Sequence, residues 1–379
     1  MQNSKIIEIE WAVIEGRRAR LAGSNARLGE HGDTIRQPIL RLTDSDGVRG
    51  FGVCWADADQ SQALLGQSLE LLFSLDSGVP EVAQRFEFPI WDLVGNKTAQ
   101  PVYRLTSAIT GAAPPPSLRV PCYDTSLYFD DLHLDSTADA AALMASEAKQ
   151  GYDAGHRAFK IKVGRGARHL PLIAGTHRDI AIIHAIRDQV GPECKLLIDA
   201  NNGYNLNLTK EVLLETAGAG IYWLEEAFHE DAELYRDLRK WMGDQGLATL
   251  LADGEGDASP WLLNWAREGV VDIIQYDIFG YGLTKWLSLG QALDGWGARS
   301  APHHYGQHLG NYAGCHLAAA LSNFELVEWD EANTPGVDTS GYRIDEGFVV
   351  VPDTPGFGLS LDEAHFQNAV KENGFTLVA

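Results

Sequence analysis

Three apolar runs of this sequence stop on acids: Lys195-Leu-Leu-Ile-Asp199, Ile221-Tyr-Trp-Leu-Glu225 and Thr249-Leu-Leu-Ala-Asp253-Gly-Glu255. Each reads as a short buried strand with a carboxylate at its C-terminal end. The strands of a (β/α) barrel all end on one rim, so acids far apart in sequence meet there. Carboxylates gathered in this way call for one divalent cation, and oxygen ligands alone favour Mg2+ first and Mn2+ second. In the third run both Asp253 and Glu255 could reach the ion; the spacing to Asp277 favours Glu255.

Other runs end on titratable residues of a different kind. Ala158-Phe-Lys160-Ile-Lys162 puts two lysines on one face of a strand, because successive side chains alternate. Neighbouring ammonium groups repel, which predicts a lowered pKa for one of them; Lys162, nearer the strand end, is the candidate base, and Lys160 would steer the substrate carboxylate. Asp277 and His303 close the next two runs, and an acid beside an imidazole fixes its tautomer and raises its basicity. Glu328 closes the last. A lone acid after an apolar run is commonly a turn residue or a helix cap, but a whole series at consecutive strand ends is hard to explain that way.

The elements that must position these residues alternate between strand and helix. Strands are expected at 120–125, 158–162, 196–199, 221–225, 249–252, 273–276, 299–302 and 325–327, most of them separated by helix-length intervals. That pattern makes a closed barrel, not an open sheet. The long interval after Lys162 suggests an inserted rim loop at 164–178, and Ser136 with Asp139 suggests a helix cap. Before the barrel, an alternating strand from Ile6, a hairpin around Asp44-Ser-Asp-Gly47 and helical periodicity over 61–106 predict a separate α+β unit. The stretch 15–37, which carries Arg17, Arg18, Arg20, Arg27 and His31, reads as a long polar loop over the site that supplies a cation, with Arg17 and Arg20 as the substrate-binding candidates. Asn201 is a further candidate substrate contact. Three consecutive prolines at 114–116 mark the linker. The expected organisation is therefore a capping domain (1–115), a barrel (116–345) and a C-terminal segment (346–379) that returns to the cap.

The chain of 379 residues carries 30 Lys+Arg against 52 Asp+Glu, a net charge of −22, which argues against nucleic acid or an anionic membrane as partner. Four scattered cysteines without a CxxC pair read as free thiols in a reducing cytoplasm. No apolar run approaches the roughly 18 residues of a membrane span, and the N-terminus leads straight into a strand.

With Lys160-x-Lys162, Asp199-Ala-Asn201, Trp223-Leu-Glu225-Glu226, Gly254-Glu255, Asp277 before Gly280-x-Gly282, Ala301-Pro-His303 and Val327-Glu328 in this order, the chain resembles the enolase superfamily, mandelate racemase subgroup. Ile90-Trp-Asp-Leu-Val-Gly95 resembles that subgroup's capping-domain helix. The resemblance implies a modified TIM barrel, (β/α)7β, under an N-terminal α+β cap completed by the C-terminal segment, and a symmetric homo-oligomer. It implies Asp199, Glu225 and Glu255 as Mg2+ ligands, Lys162 and His303 as bases on opposite faces of the substrate, and Glu328 hydrogen-bonded to the enolate oxygen. A Lys or His base with Mg2+ is the general pattern of that superfamily, so this pairing follows from the resemblance. Ala227 stands where the family usually has proline, and Gly256 where a bulkier polar residue is expected.

A metal at the carboxylate of a small-molecule substrate stabilises the charge that develops when its α-hydrogen leaves. Loss of a β-hydroxyl then dehydrates an acid sugar to a 2-keto-3-deoxy acid, the first expectation. Return of the proton to the same carbon makes a racemase or epimerase of a 2-hydroxy acid, the second. A metal-assisted hydrolase would want histidine ligands near the first strand, which 120–125 lacks. A non-catalytic sugar-acid-binding protein would leave two opposed bases unexplained.

Overall fold

A computed structural model describes residues 4–379. The chain opens on an antiparallel meander of β1 (Ile6–Ala22), β2 (Gly32–Asp44) and β3 (Arg49–Val53). The hairpin at Asp44 forms as expected: the Asp44 carboxylate accepts from the Asp46 and Val48 amides at 3.0 and 2.9 Å, and Gly47 takes φ +78°.

The long polar loop expected over 15–37 is mostly strand. Pairing continues from Ile14–Gln37 to Arg17–Thr34, leaving a connection of only residues 23–31. Its polarity belongs to one face: Glu15 and Arg17 are exposed, whereas Ile14, Gly16 and Ile35 are buried. Helical periodicity over 61–106 resolves into Ala58–Gln62, a single turn at Leu69–Leu72, and the longer Glu87–Thr98 and Val102–Thr110. Ala63 caps the first at its C-terminus, and Gly66, at φ +75°, lies in the turn that follows before Leu69 begins the second.

Gly50 of β3 lies directly against the helix Glu87–Thr98. A Cβ there would sit 2.1 Å from the Leu93 amide nitrogen and 2.3 Å from its Cα, so backbone would have to move. Gly50→Ala is expected to destabilise the protein by about 1–3 kcal/mol, the usual range for overpacking, read as a lower urea midpoint at unchanged slope.

The barrel strands are β4 (Leu118–Leu127), β5 (Ala158–Lys162), β6 (Lys195–Asp199), β7 (Ile221–Glu225), β8 (Leu250–Asp253), β9 (Ile273–Ile274), β10 (Arg299–Ser300) and β11 (Val327–Trp329). They pair in parallel in chain order from β4 to β10, and β11 pairs in parallel with β4. The Ser300 amide donates to Asn323 O and the Glu325 amide to Ser300 O, joining β10 to the chain that enters β11 and completing the ring of pairings. A helix occupies every connection between these strands, the (β/α)7β order expected. Ser136 caps the helix Thr137–Asp153 by accepting from the Asp139 amide. The inserted loop expected at 164–178 is cut short, because the helix Leu172–Val190 starts within it.

Inside the ring lies a layer of Tyr123, Ala158, Leu197, Trp223, Ala252, Ile273, Ala301 and Leu326. The return of the C-terminal segment is divided. Phe348–Val351 pairs antiparallel with the N-terminal half of β4, and only later does the chain reach the N-terminal sheet. There Phe375–Val378 pairs with β1, Asn373 accepts from the Val13 amide, and Arg41 bridges Glu10 to Glu363.

Candidate active site

The interior layer explains which side chains arrive at the rim. Leu197, Trp223 and Ala158 face inward, so two residues on Asp199, Glu225 and Lys160 do the same, and Lys162 follows Lys160. On β8 the inward residue is Ala252, so Asp253 faces outward, where it accepts hydrogen bonds from the Tyr235 hydroxyl and, at 2.7 Å, from the Gly254 amide. Gly254, at φ +124°, breaks the alternation and returns Glu255 to the rim. Asp199, Glu225 and Glu255 thus each offer an oxygen within 4.8 Å of the others.

These residues fit a hard cation. The donors are all carboxylate oxygens, as Mg2+ prefers, and Glu225 Oε2 is buried without a hydrogen-bond partner. Burial and then Asp199 push the Glu225 carboxyl up to about 7. Burial would raise Asp199 too, but Lys162 and Lys160 more than offset it and hold that carboxyl below its ordinary value.

Lys162 donates to Asp199 and is buried. The lowered pKa expected of it is reversed: burial and Lys160 pull its ammonium down, but Asp199, with Glu255 and Glu225, holds it above the ordinary lysine value. Lys160 lies deeper, 2.8 Å from Glu225 Oε1 and 3.4 Å from Glu328 Oε1, and faces these acids instead of the cavity. Glu328 also accepts from Thr125 Oγ1 at 2.8 Å and from the His304 and Tyr305 amides at 2.7 and 3.1 Å. Burial opposes its charge, yet Lys160, His303 and His304 keep it ionised well below the ordinary range. Thr125 stands two residues on from the inward-facing Tyr123, so strand alternation alone brings it to the rim.

On the other side His303 Nδ1 is 3.2 Å from Asp277 Oδ2, and its Nε2 is 3.3 Å from Glu255 Oε2. Burial lowers the imidazole, but Glu255, Glu328 and Asp277 raise it to about 10. His304 instead directs Nε2 to Glu328 O at 2.8 Å. Because Asp277 contributes to the upward shift, Asp277→Asn is expected to leave partial activity with the pH limb due to His303 moved to lower pH, whichever way the proton travels. An unchanged pH–rate profile would remove Asp277 from the pair.

Lys162, Glu255 and His303 open into a cavity of about 410 Å³ whose far wall includes Arg18, His31 and Tyr305. Arg18 lies 4.5 Å from the Tyr305 ring and 3.4 Å from Asp330. Burial, then Lys162 and Arg18, push His31 down to about 4, so it is neutral. Neither Arg17 nor Arg20 lines this cavity. Arg17 turns outward to Asp33 at 3.0 Å, and Arg20 is engaged by Ser126 Oγ at 2.7 Å, with Asp130 and Glu147 at 3.6 Å. Asn201 donates through Nδ2 to Glu255 and Glu226 at 3.0 Å each, so it braces the acid cluster. Arg18 and His31 come from the cap, where no barrel periodicity points to them.

A parallel barrel with an oxygen-only acid triad at its strand ends, flanked by a lysine and a histidine, defines a class of metal-assisted barrel enzymes. This chain belongs to the enolase C-terminal domain-like family, whose model matches residues 143–365. It is similar to the galacturonate dehydratase of a Geobacillus species, whose structure holds D-galacturonate and 5-keto-4-deoxy-D-galacturonate: 48% identity, 99% of each chain covered, TM-score 0.94. A mandelate racemase/muconate lactonizing protein from Geobacillus sp. Y412MC10, complexed with magnesium and tartrate, is 48% identical over 100% of this chain and 98% of that one, with TM-score 0.97. The arabinonate dehydratase of Saccharolobus solfataricus is 26% identical over 287 residues, covering 73% of this chain and 69% of the relative. Among the described residues no helix is long and apolar enough to cross a membrane.

Proposed function

We propose that this chain is an acid-sugar dehydratase that uses Mg2+ held by Asp199, Glu225 and Glu255, and that its substrate is a hexuronate such as D-galacturonate. What carries this reading is the 48% identity over 99% of both chains to a galacturonate dehydratase. The 5-keto-4-deoxy-D-galacturonate found with that relative is a keto acid deoxygenated at the carbon next to the keto group. Counted from the carboxylate, this is the α-keto-β-deoxy pattern that α-proton removal and β-hydroxyl loss produce.

The ion supplies positive charge where the substrate carboxylate becomes more negative. Lys162 ends β5 and His303 follows β10, with the triad at or just past the ends of β6, β7 and β8 between them, so they approach a carboxylate-anchored substrate from two sides. Asp199, Glu225 and Glu255, which hold Lys162 and His303 protonated, are the carboxylates a bound cation would neutralise, so with the ion in place one of the two can remove the α-hydrogen as base while the other protonates the departing β-hydroxyl. Asp277 holds the His303 ring, and Lys160 with Glu328 forms a charged floor under the substrate carboxylate. Arg18, His31 and Tyr305 bound the space for the distal hydroxyls.

The test is a panel of D-galacturonate, D-glucuronate and aldonates, incubated with Mg2+ and after chelation, with keto acid trapped by a carbonyl reagent. A Mg2+-dependent keto acid from a uronate is expected. Exchange of the α-hydrogen in heavy water with inversion and no keto acid would favour the racemase reading, which the two flanking bases also support. Binding with neither would leave a sugar-acid-binding protein.

A further inference from the structure

Three residues past Lys162, the side chain of Arg165 is wholly buried, and all three of its nitrogens donate. Nε and Nη2 bond Asp131 Oδ1 at 3.0 and 2.6 Å, while Nη1 bonds Asp179 Oδ1 at 2.8 Å and the backbone oxygen of Lys162 at 3.1 Å. Asp179 Oδ2 in turn accepts from the Gly164 and Arg165 amides at 2.8 and 3.2 Å and from the Tyr204 hydroxyl at 3.0 Å. The Phe129 ring lies 4.2 Å from the guanidinium.

Phe129 and Asp131 follow β4, Arg165 follows β5, and Tyr204 lies on the turn that follows Asp199 of β6. The guanidinium therefore ties the loop after β4 to the one after β5 directly, and reaches the turn after β6 through Asp179 of the helix Leu172–Val190; the last two follow immediately on Lys162 and Asp199. Arg178, 3.4 Å from Asp131, completes a set of two cations and two anions, so no net charge is buried. Well-packed apolar side chains often replace such a cluster without loss of stability. They could not grip the Lys162 carbonyl.

We propose that Arg165 is a positioning residue for Lys162: by holding the strand-end carbonyl within a rigid ionic cluster, it sets the direction from which the Lys162 ammonium meets the substrate carbon. A misplacement of about 1 Å far from the chemistry can cost about a hundredfold in rate. The proposal rests on the reading of Lys162 as a proton-transfer group. If wild-type enzyme makes no Mg2+-dependent keto acid, that reading fails by itself; the Arg165 variants are judged against a working wild type.

The experiment compares Arg165→Lys, which keeps the charge and loses the fork, with Arg165→Met in the full-length Mg2+-loaded enzyme. Turnover is expressed per Mg2+-binding site, counted by direct titration, using the uronate that wild type dehydrates and its α-deuterated form. Arg165→Lys is expected to lose about 10–100-fold in kcat per site with KM changed by less than about threefold, Arg165→Met to lose more, and the α-deuterium isotope effect to persist. Tyr204→Phe, which only loosens Asp179, should show the same pattern in smaller size and serves if the Arg165 variants do not fold. A kcat per site equal to wild type overturns the proposal, as does a loss confined to KM. So does an isotope effect that collapses, which would assign the loss to another step.

Discussion

His303→Asn is expected to lower kcat by about a thousandfold, within the 10²–10⁴ range that a general acid or base contributes and equivalent to about 4 kcal/mol of barrier. Asparagine keeps a polar group beside Asp277 but has no proton to exchange near neutrality. Lys162→Ala should cost at least as much, since nothing else on β5 reaches the cavity: Ile161 faces the helices and Lys160 is held between Glu225 and Glu328. In both variants the three carboxylates remain, so Mg2+ titration should still show binding. Near-wild-type turnover of the true substrate by either variant would end the two-base assignment. Exchange of the α-hydrogen in heavy water sharpens the comparison, because each variant should keep only the exchange that the other group performs.

The second large effect concerns stability. His316, wholly buried on the helix Gly310–Ala318, accepts the Tyr103 amide at Nδ1 (2.9 Å) and meets the Tyr342 hydroxyl at Nε2 (2.7 Å). The Tyr342 hydroxyl donates to Phe357 O at 2.6 Å, so the single ring proton belongs on Nε2. A second proton on Nδ1 would face the Tyr103 N–H, and burial pushes the pKa from 6.5 down to about 3. A folded pKa below the unfolded one gives stability that is present above pH 6.5 and lost as pH falls towards 3. At pH 5 the loss is about 2 kcal/mol, from 1.5 pH units at about 1.36 kcal/mol each. His316→Gln, which can accept and donate in similar places but does not titrate, should be less stable than wild type at pH 7.5. That deficit should shrink by about 2 kcal/mol at pH 5 in urea denaturation. The difference between the two proteins is the proper measure, because buried acids such as Glu87, raised by burial to about 7, gain stability over the same pH range. An equal deficit at both pH values would show that His316 does not titrate as described.

Much of the barrel was legible because its information is local. Alternation along β5, β6 and β7 places Lys160, Lys162, Asp199 and Glu225 inside from the positions of Ala158, Leu197 and Trp223 alone. The choice between Asp253 and Glu255 was harder, since it turns on Gly254 leaving the strand geometry. The strands within 15–37 are not legible for a different reason: charge on the open face of a long hairpin looks like loop until its partner strand is known. The direction of the Lys162 shift was missed because it depends on Asp199 from the neighbouring strand, which outweighs Lys160 from its own.

What the amino-acid order determined by itself was the succession of strand ends and the donors they carry, since a period of two residues is a property of the chain. Only the folded protein decided that Arg18 and His31 look into the cavity while Arg17 and Arg20 do not, and that Arg165 grips the Lys162 carbonyl. Those arrangements join segments remote in sequence, where facing, burial and protonation are set by neighbours that the chain meets only once it has closed on itself.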